Sequence, residues 1–221
     1  MNTKPLWSIL AAGVCLVLST QSLQAAGNAE EGKKKFYSCG GCHAIEGYSN
    51  AYPNYHVPRI GGQQEKAVLA ALNGYKTGDR KHGELPQGNS MQGNSSGWAD
   101  KDLEDIATFV SKKILSTKTT PITGNPIAGK EKSVVCSGCH GEDGNVLDEQ
   151  GKVLSGQEAT PRLAGQYEDY LIKALQEYRK GELRKNPNMR IFANGIKDDA
   201  DIKDIAAYFA SQKRGLVTIS D

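Results

Sequence analysis

Apolar residues recur at helical spacing in two well-separated stretches of the chain. Leu69, Leu72 and Tyr75 form one apolar edge, and Leu171, Ala174, Leu175 and Tyr178 fall at i, i+3, i+4 and i+7. That spacing gathers them on one face of a 3.6-residue helix. A second helical face follows each stretch: Leu103, Ile106, Ala107 and Val110, then Ile202, Ile205, Ala206 and Phe209. Asp100 and Asp199 stand where an N-cap or a first-turn acid belongs, because the helix dipole favours negative charge there. No alternating strand pattern of useful length occurs, so the pattern predicts an all-α protein. Each half reads as three main helices joined by long Gly- and Pro-rich loops. Three amphipathic helices in roughly 90 residues bury little apolar surface by themselves. A large flat apolar group at the centre of each half would supply the missing interior.

The N-terminus follows a different pattern. Lys4 precedes a weakly polar-to-apolar run from Leu6 to Leu18, which turns polar at Ser19 to Gln24 and reaches a small residue at Ala25. This predicts an export signal, residues 1–25, cut after Ala25 or Ala26. The run falls short of the roughly 20 apolar residues that span a bilayer, so an uncleaved anchor is the lesser alternative. Cys15 lies inside the run behind Val14, where a lipid-modified cysteine wants a small residue, and it leaves with the signal.

The remaining sequence repeats itself. Gly27-Asn28-Ala29-Glu30-Glu31-Gly32-Lys33 returns as Gly124-Asn125-Pro126-Ile127-Ala128-Gly129-Lys130, and the same offset of 97 carries Cys39-Gly40-Gly41-Cys42-His43 onto Cys136-Ser137-Gly138-Cys139-His140. Pro58-Arg59-Ile60-Gly61-Gly62-Gln63 matches Pro161-Arg162-Leu163-Ala164-Gly165-Gln166, and Asp102 to Ala107 matches Asp201 to Ala206. Four blocks in one order mark a duplication. The expected organisation is a first domain over 26–115, a linker over 116–124 and a second domain over 125–221. The linker is rich in Thr, Ser and Pro, and Pro121 cannot continue a preceding helix.

Charge narrows the function classes. With 27 basic and 25 acidic residues the formal net charge is +2, far from the basic footprint of a nucleic-acid binder.

The chemistry lies in the repeated Cys-x-x-Cys-His. Without Cys15 the cysteines are Cys39, Cys42, Cys136 and Cys139, an even number that in an exported chain ordinarily suggests disulfides. The spacing argues instead for covalent heme c: the two thiols add across the porphyrin vinyl groups, and the adjacent His43 or His140 serves as proximal iron ligand. Two such groups would bring propionates that make the holoprotein mildly acidic. A thioredoxin-like redox pair would need a strand-helix-strand frame, and a zinc site would need ligands from a second cluster. The histidines outside the motifs, His56 and His82, are both in the first half, which leaves the second short of zinc ligands. They also offer a bis-histidine first heme as an alternative. Two methionines follow the signal, Met91 and Met189, placed 48 and 49 residues after the motif histidines, in polar loops before the last helix of each half. A methionine can simply fill a gap in a core, but matched repeat positions in polar surroundings point to axial ligation of the two irons. Six-coordinate iron has little reorganisation to do and no vacancy for substrate, which suits an electron carrier.

These motifs resemble the cytochrome c4 family, diheme carriers of the bacterial periplasm. The resemblance rests on the paired Cys-x-x-Cys-His motifs, the two Pro-Arg blocks, the Met91 and Met189 segments, and Asp204 to Phe209. It implies two tandem class I cytochrome c domains related by a pseudo-twofold axis, with their hemes close across the interface. It implies that the carbonyls of Pro58 and Pro161 accept the far ring proton of each proximal histidine. Arg59 and Arg162 are candidates for pairing with heme propionates, or else solvated loop charges. The partners implied are an upstream quinol-oxidising or other periplasmic reductase and a terminal oxidase, with peripheral association at the inner membrane a further expectation. Related diheme subunits also serve flavin-dependent sulfide dehydrogenases and thiosulfate-oxidising systems. The chain departs from the pattern in a longer segment over Gly141 to Thr160, and in a Leu85 to Trp98 segment rich in Gly, Asn and Ser.

Overall fold

The computed structural model describes residues 27–49, 51, 54–81 and 90–220. The expected export signal over residues 1–25, His82 and the segment from Leu85 to Asn89 lie outside the described residues.

The first half contains α1 (Ala29–His43), α2 (Glu65–Thr77), α3 (Ser90–Ser96) and α4 (Asp100–Ser111). The second contains α5 (Pro126–Lys132), α6 (Val134–His140), α7 (Glu168–Lys180), α8 (Pro187–Asn194) and α9 (Asp199–Ala210). Among the described residues β-structure is limited to isolated bridges, as the sequence pattern predicts. The apolar faces read from sequence are the buried ones: Leu103, Ile106, Ala107 and Val110 in α4, and Ile202, Ile205, Ala206 and Phe209 in α9. Asp100 and Asp199 begin their helices as first-turn acids; the caps are Ala99 and Asp198.

One crossing is built the same way in both halves. Asn28 caps α1 by accepting from the N–H groups of Glu30 and Glu31, and Asn125 caps α5 by accepting from Ile127 and Ala128. A Cβ on Gly32 would overlap the carbonyl oxygen of Asp105, and one on Gly129 the carbonyl of Asp204. Only glycine lets the N-terminal helix lie this close against α4 or α9. Lys35 then binds Asp102 and Asp105 at 2.6 Å each, and Lys132 binds Asp201 and Asp204 at 2.6 Å each. The Lys101 and Lys35 ammonium groups hold the Asp105 carboxyl well below the ordinary carboxylate range.

The methionine segments differ from the expected loops: both are short helices. Asn186 caps α8 by accepting from Met189 N, and Pro187 presets the first helical residue. In α3 the small polar side chains bond back along the helix, Ser95 Oγ donating to Met91 O at 2.6 Å and Ser96 Oγ to Gln92 O at 2.7 Å.

The halves exchange core residues. Ile219, from the C-terminal tail, is buried in the cluster formed by Phe36, Leu72, Leu103, Ile106 and Val110. Tyr55, from the loop after α1, packs with Tyr167, Tyr170, Leu171 and Phe209 of the second half. The tail reaches the first half through reciprocal backbone bonds: Gly61 N to Val217 O at 2.9 Å and Val217 N to Gly61 O at 3.0 Å.

Candidate functional site

Each Cys-x-x-Cys-His motif ends a helix, so its cysteines sit on the last turns and its histidine on the final residue. His43 and His140 are both buried, 8 % and 5 % exposed. His43 Nδ1 lies 3.0 Å from the carbonyl oxygen of Pro58, and His140 Nδ1 lies 2.9 Å from that of Pro161. A carbonyl can only accept, so Nδ1 carries the proton and donates, which leaves the Nε2 lone pair of each ring available as a ligand. Burial pushes both imidazoles below their ordinary range, against a smaller opposing pull from the proline carbonyls. The prolines thus stand where the sequence comparison expects them.

All four motif cysteines are free of disulfides. Burial pushes the Cys39 thiol up, and that of Cys136 up to about 11. Among the described residues no cluster of three or more His, Cys, Asp and Glu side chains could hold a metal ion, so the residues a zinc site would need are not gathered here.

A cavity of about 590 Å³ opens between the halves. Cys136, His140, Pro161 and Met189 line it, and Leu171, Leu175, Ile205 and Phe209 give it apolar walls. Cysteine, histidine and methionine of the second repeat therefore share one chamber. In the first half Cys39 and Met91 pack, half-buried, against the same core cluster as Phe36 and Leu103.

Arg59 and Arg162 also line the cavity. Arg59 is buried, not a solvated loop charge: Nη1 donates to Gly165 O at 2.9 Å, Nη2 pairs with Glu46, and the guanidinium lies 4.6 Å from the Tyr167 ring centre. Arg162 Nη1 donates to Asn145 O at 2.7 Å. The Nε atoms of Arg59, Arg80 and Arg162 are buried with no hydrogen-bond partner among the described residues. Buried N–H groups of this kind call for an acceptor. Three unsatisfied guanidinium N–H donors at the rim of an apolar chamber fit a flat macrocycle carrying carboxylates.

His56 serves the interface. It stacks on Tyr167 with ring centres 4.6 Å apart, and its Nδ1 lies 2.7 Å from Asp169 Oδ2. Its described partners, Tyr167 and Asp169, both belong to the second half. In a second set of interface residues, Gln63 and Gln166 had no signal beyond membership of a repeated block, and Arg80, Tyr170, Glu177 and Arg184 had none. Gln63 Oε1 accepts from Arg162 N at 2.7 Å and Gln166 Oε1 from Arg59 N at 2.9 Å. Arg80 Nη2 donates to Tyr170 OH at 3.2 Å, and the buried pair Arg184–Glu177 closes at 2.7 Å beside it.

The cytochrome c family matches residues 29–113 and again 128–213. Cytochrome c4 of Stutzerimonas stutzeri is 32% identical over 85% of this chain and 89% of its own length. The crystal structure of reduced recombinant cytochrome c4 from Pseudomonas stutzeri superposes with a TM-score of 0.61 at 28% identity, covering 85% of this chain and all (100%) of that one. A Cbb3-type cytochrome c oxidase subunit CcoP from Helicobacter pylori is 30% identical over 79% of this chain and 55% of that subunit. Two matches in tandem account for the duplicated blocks, the mirrored histidine–proline contacts and the two cysteine pairs together. The chain belongs to the cytochrome c family, as a tandem two-domain member of the cytochrome c4 type, an electron carrier with two covalently bound heme c groups.

Proposed function

We propose that this protein is a periplasmic shuttle in a bacterial respiratory chain, exported behind residues 1–25 and built as domains 26–115 and 125–221 on either side of the 116–124 linker. Cys39 and Cys42 anchor one heme, Cys136 and Cys139 the other. His43 with Met91, and His140 with Met189, would hold the two irons. The observation that carries this reading is the mirrored contact between His43 or His140 and a proline carbonyl, with Met189 on the wall of the same cavity as His140.

Heme iron supplies a one-electron couple. Around it the chain fixes the ring tautomer through Pro58 and Pro161, excludes water with the apolar walls, and neutralises carboxylate charge with arginine. Thioether ligation favours the ferrous state and raises the reduction potential. With a histidine and a methionine holding each iron, substrate would have no access to it, which suits a carrier of electrons. The likeness to an oxidase subunit supports a terminal oxidase as the electron's destination, with a quinol-oxidising or other reductase as its source. No helix among the described residues is long and apolar enough to cross a membrane.

A redox-titrated optical spectrum of the purified protein, with heme counted per chain, tests the assignment. Two low-spin hemes at high potential, both with the methionine-to-iron charge-transfer band when oxidised, are expected. A heme that is high-spin or lacks that band removes Met91 or Met189 from the ligand set. Co-purification with a stable flavoprotein would replace the free shuttle by a heme subunit of a larger enzyme.

A further inference from the structure

Pro161 contributes the carbonyl, and Arg162 the N–H, of one and the same peptide group. The carbonyl oxygen accepts from His140 Nδ1 at 2.9 Å, while the N–H donates to Gln63 Oε1, in the other half, at 2.7 Å. The mirror image holds: the Pro58–Arg59 peptide accepts from His43 Nδ1 at 3.0 Å and donates to Gln166 Oε1 at 2.9 Å. Each proximal histidine is therefore linked, through a single peptide, to a glutamine of the opposite half.

The amide orientations are fixed by their surroundings. Gln63 Oε1 also accepts from Gln64 N at 3.0 Å, and its Nε2 donates to Arg162 O at 3.1 Å. Gln166 Oε1 accepts from Tyr167 N at 3.1 Å, and its Nε2 donates to Arg59 O at 2.8 Å. Flipping either amide would set NH2 against two N–H donors and oxygen against a carbonyl. Apart from the N–H of the next residue, these side chains bond to the other half.

The peptide is a planar, resonance-coupled unit, so an acceptor on its nitrogen makes its oxygen more negative. A more negative oxygen polarises the Nδ1–H bond and makes Nε2 a stronger donor. We infer that Gln63 and Gln166 are positioning residues that act crosswise: Gln63 strengthens His140 as a ligand, and Gln166 strengthens His43. This rests on the assignment of His43 and His140 as proximal ligands. Stronger donation favours ferric iron, so each glutamine lowers the reduction potential of the heme in the half it does not belong to.

The experiment is a potentiometric titration of the holoprotein, with each heme followed through its own hyperfine-shifted methyl resonances in proton NMR. Gln63→Leu is expected to raise the potential of the second heme and leave the first in place, and Gln166→Leu to do the reverse. Gln63→Glu keeps an acceptor at the Arg162 N–H and adds charge, so it is expected to lower the second potential; it carries the test should the leucine variant fail to accumulate. Gln64→Leu is the control, because Gln64 Nε2 crosses the interface to Gln157 O at 3.1 Å and to Thr160 O, and bonds neither the Pro161–Arg162 nor the Pro58–Arg59 peptide. It is expected to move neither potential. Shifts of equal size at both hemes, a shift at the glutamine's own heme, no shift, or a Gln64→Leu effect matching that of Gln63→Leu would each overturn the crosswise coupling. A wild-type protein without the histidine–methionine spectral signature would instead sink the ligand assignment beneath it.

Discussion

In the first half Ala29 to His43 form one helix; in the second the matching stretch is two helices, α5 and α6, parted at Ser133. The repeat puts Phe36 where the second half has Ser133. Phe36 is buried and packs on Phe109 with ring centres 5.4 Å apart, which braces the middle of α1 against α4. Ser133 cannot brace anything: its Oγ turns back to Lys130 O at 3.0 Å. Tyr208, at the Phe109 position, sends its hydroxyl to Glu142 O at 2.9 Å. Serine competing for local backbone carbonyls is a known way to interrupt a helix. Yet His43 and His140 reach equivalent positions. The frame therefore depends on what both halves keep, namely the glycine crossing and the lysine clamp on two aspartates, and tolerates the loss of helix continuity. The halves diverge again beneath the interface, where Gly74 occupies in α2 the place that Glu177 holds in α7.

The largest break in this symmetry is expected at Glu177. Glu177→Ala leaves Arg184, 3 % exposed, as a buried charge without its carboxylate. Losing one partner of a buried pair costs about 3–5 kcal/mol, and the tyrosines around Arg184 place the loss toward the lower figure. Urea unfolding followed at each heme should show the second half melting first. Next come Gly32→Ala and Gly129→Ala, each forcing the helices apart for about 1–3 kcal/mol. Equal losses in the two halves would support a shared frame; a much smaller loss at Gly129 would show that the break at Ser133 lets the crossing relax. Asn28→Ala and Asn125→Ala should each cost about 1 kcal/mol through the lost cap, read from thermal midpoints.

The smallest effect separates the halves by pH. Asp105 is held down by Lys101 first and Lys35 next, and Asp204 by Lys132 and the Asn125 N–H. A carboxyl lowered in the folded state stabilises the fold above its ordinary pKa of about 3.9, and that contribution disappears as pH falls through the lowered value. Two lysines, Lys35 and Lys101, bond the Asp105 carboxylate and one, Lys132, bonds that of Asp204, since Ala200 stands in the second half at the place of Lys101. Acid titration should therefore cost the first half more, and Lys101→Ala should bring the two acid transitions together.

Much of this was legible before any coordinates. The apolar faces of α4 and α9 follow helical spacing, and the cysteine–histidine spacing identifies the attachment chemistry because thioether geometry permits little else. The helical state of the methionine segments was not legible. A Ser-Met-Gln-Gly-Asn-Ser-Ser sequence has low helix propensity, and its helix depends on side chains that bond back along it. The roles of Gln63 and Gln166 were hidden for another reason: their partners are about a hundred residues away and are backbone groups, which leave no mark in sequence. Gly32 and Gly129 stood in a repeated block, but close approach is a property of two helices and cannot be read from one.

The exchange of Ile219 for Tyr55 bears on how the chain is made. A polypeptide is synthesised from its N-terminus, and domains formed early ordinarily fold early. Here the first core lacks one of its buried side chains until residue 219 of 221 has arrived. Closure of the first core therefore depends on the C-terminal tail as well as on α1, α2 and α4. Maturation of the two halves is thereby drawn into a single late event.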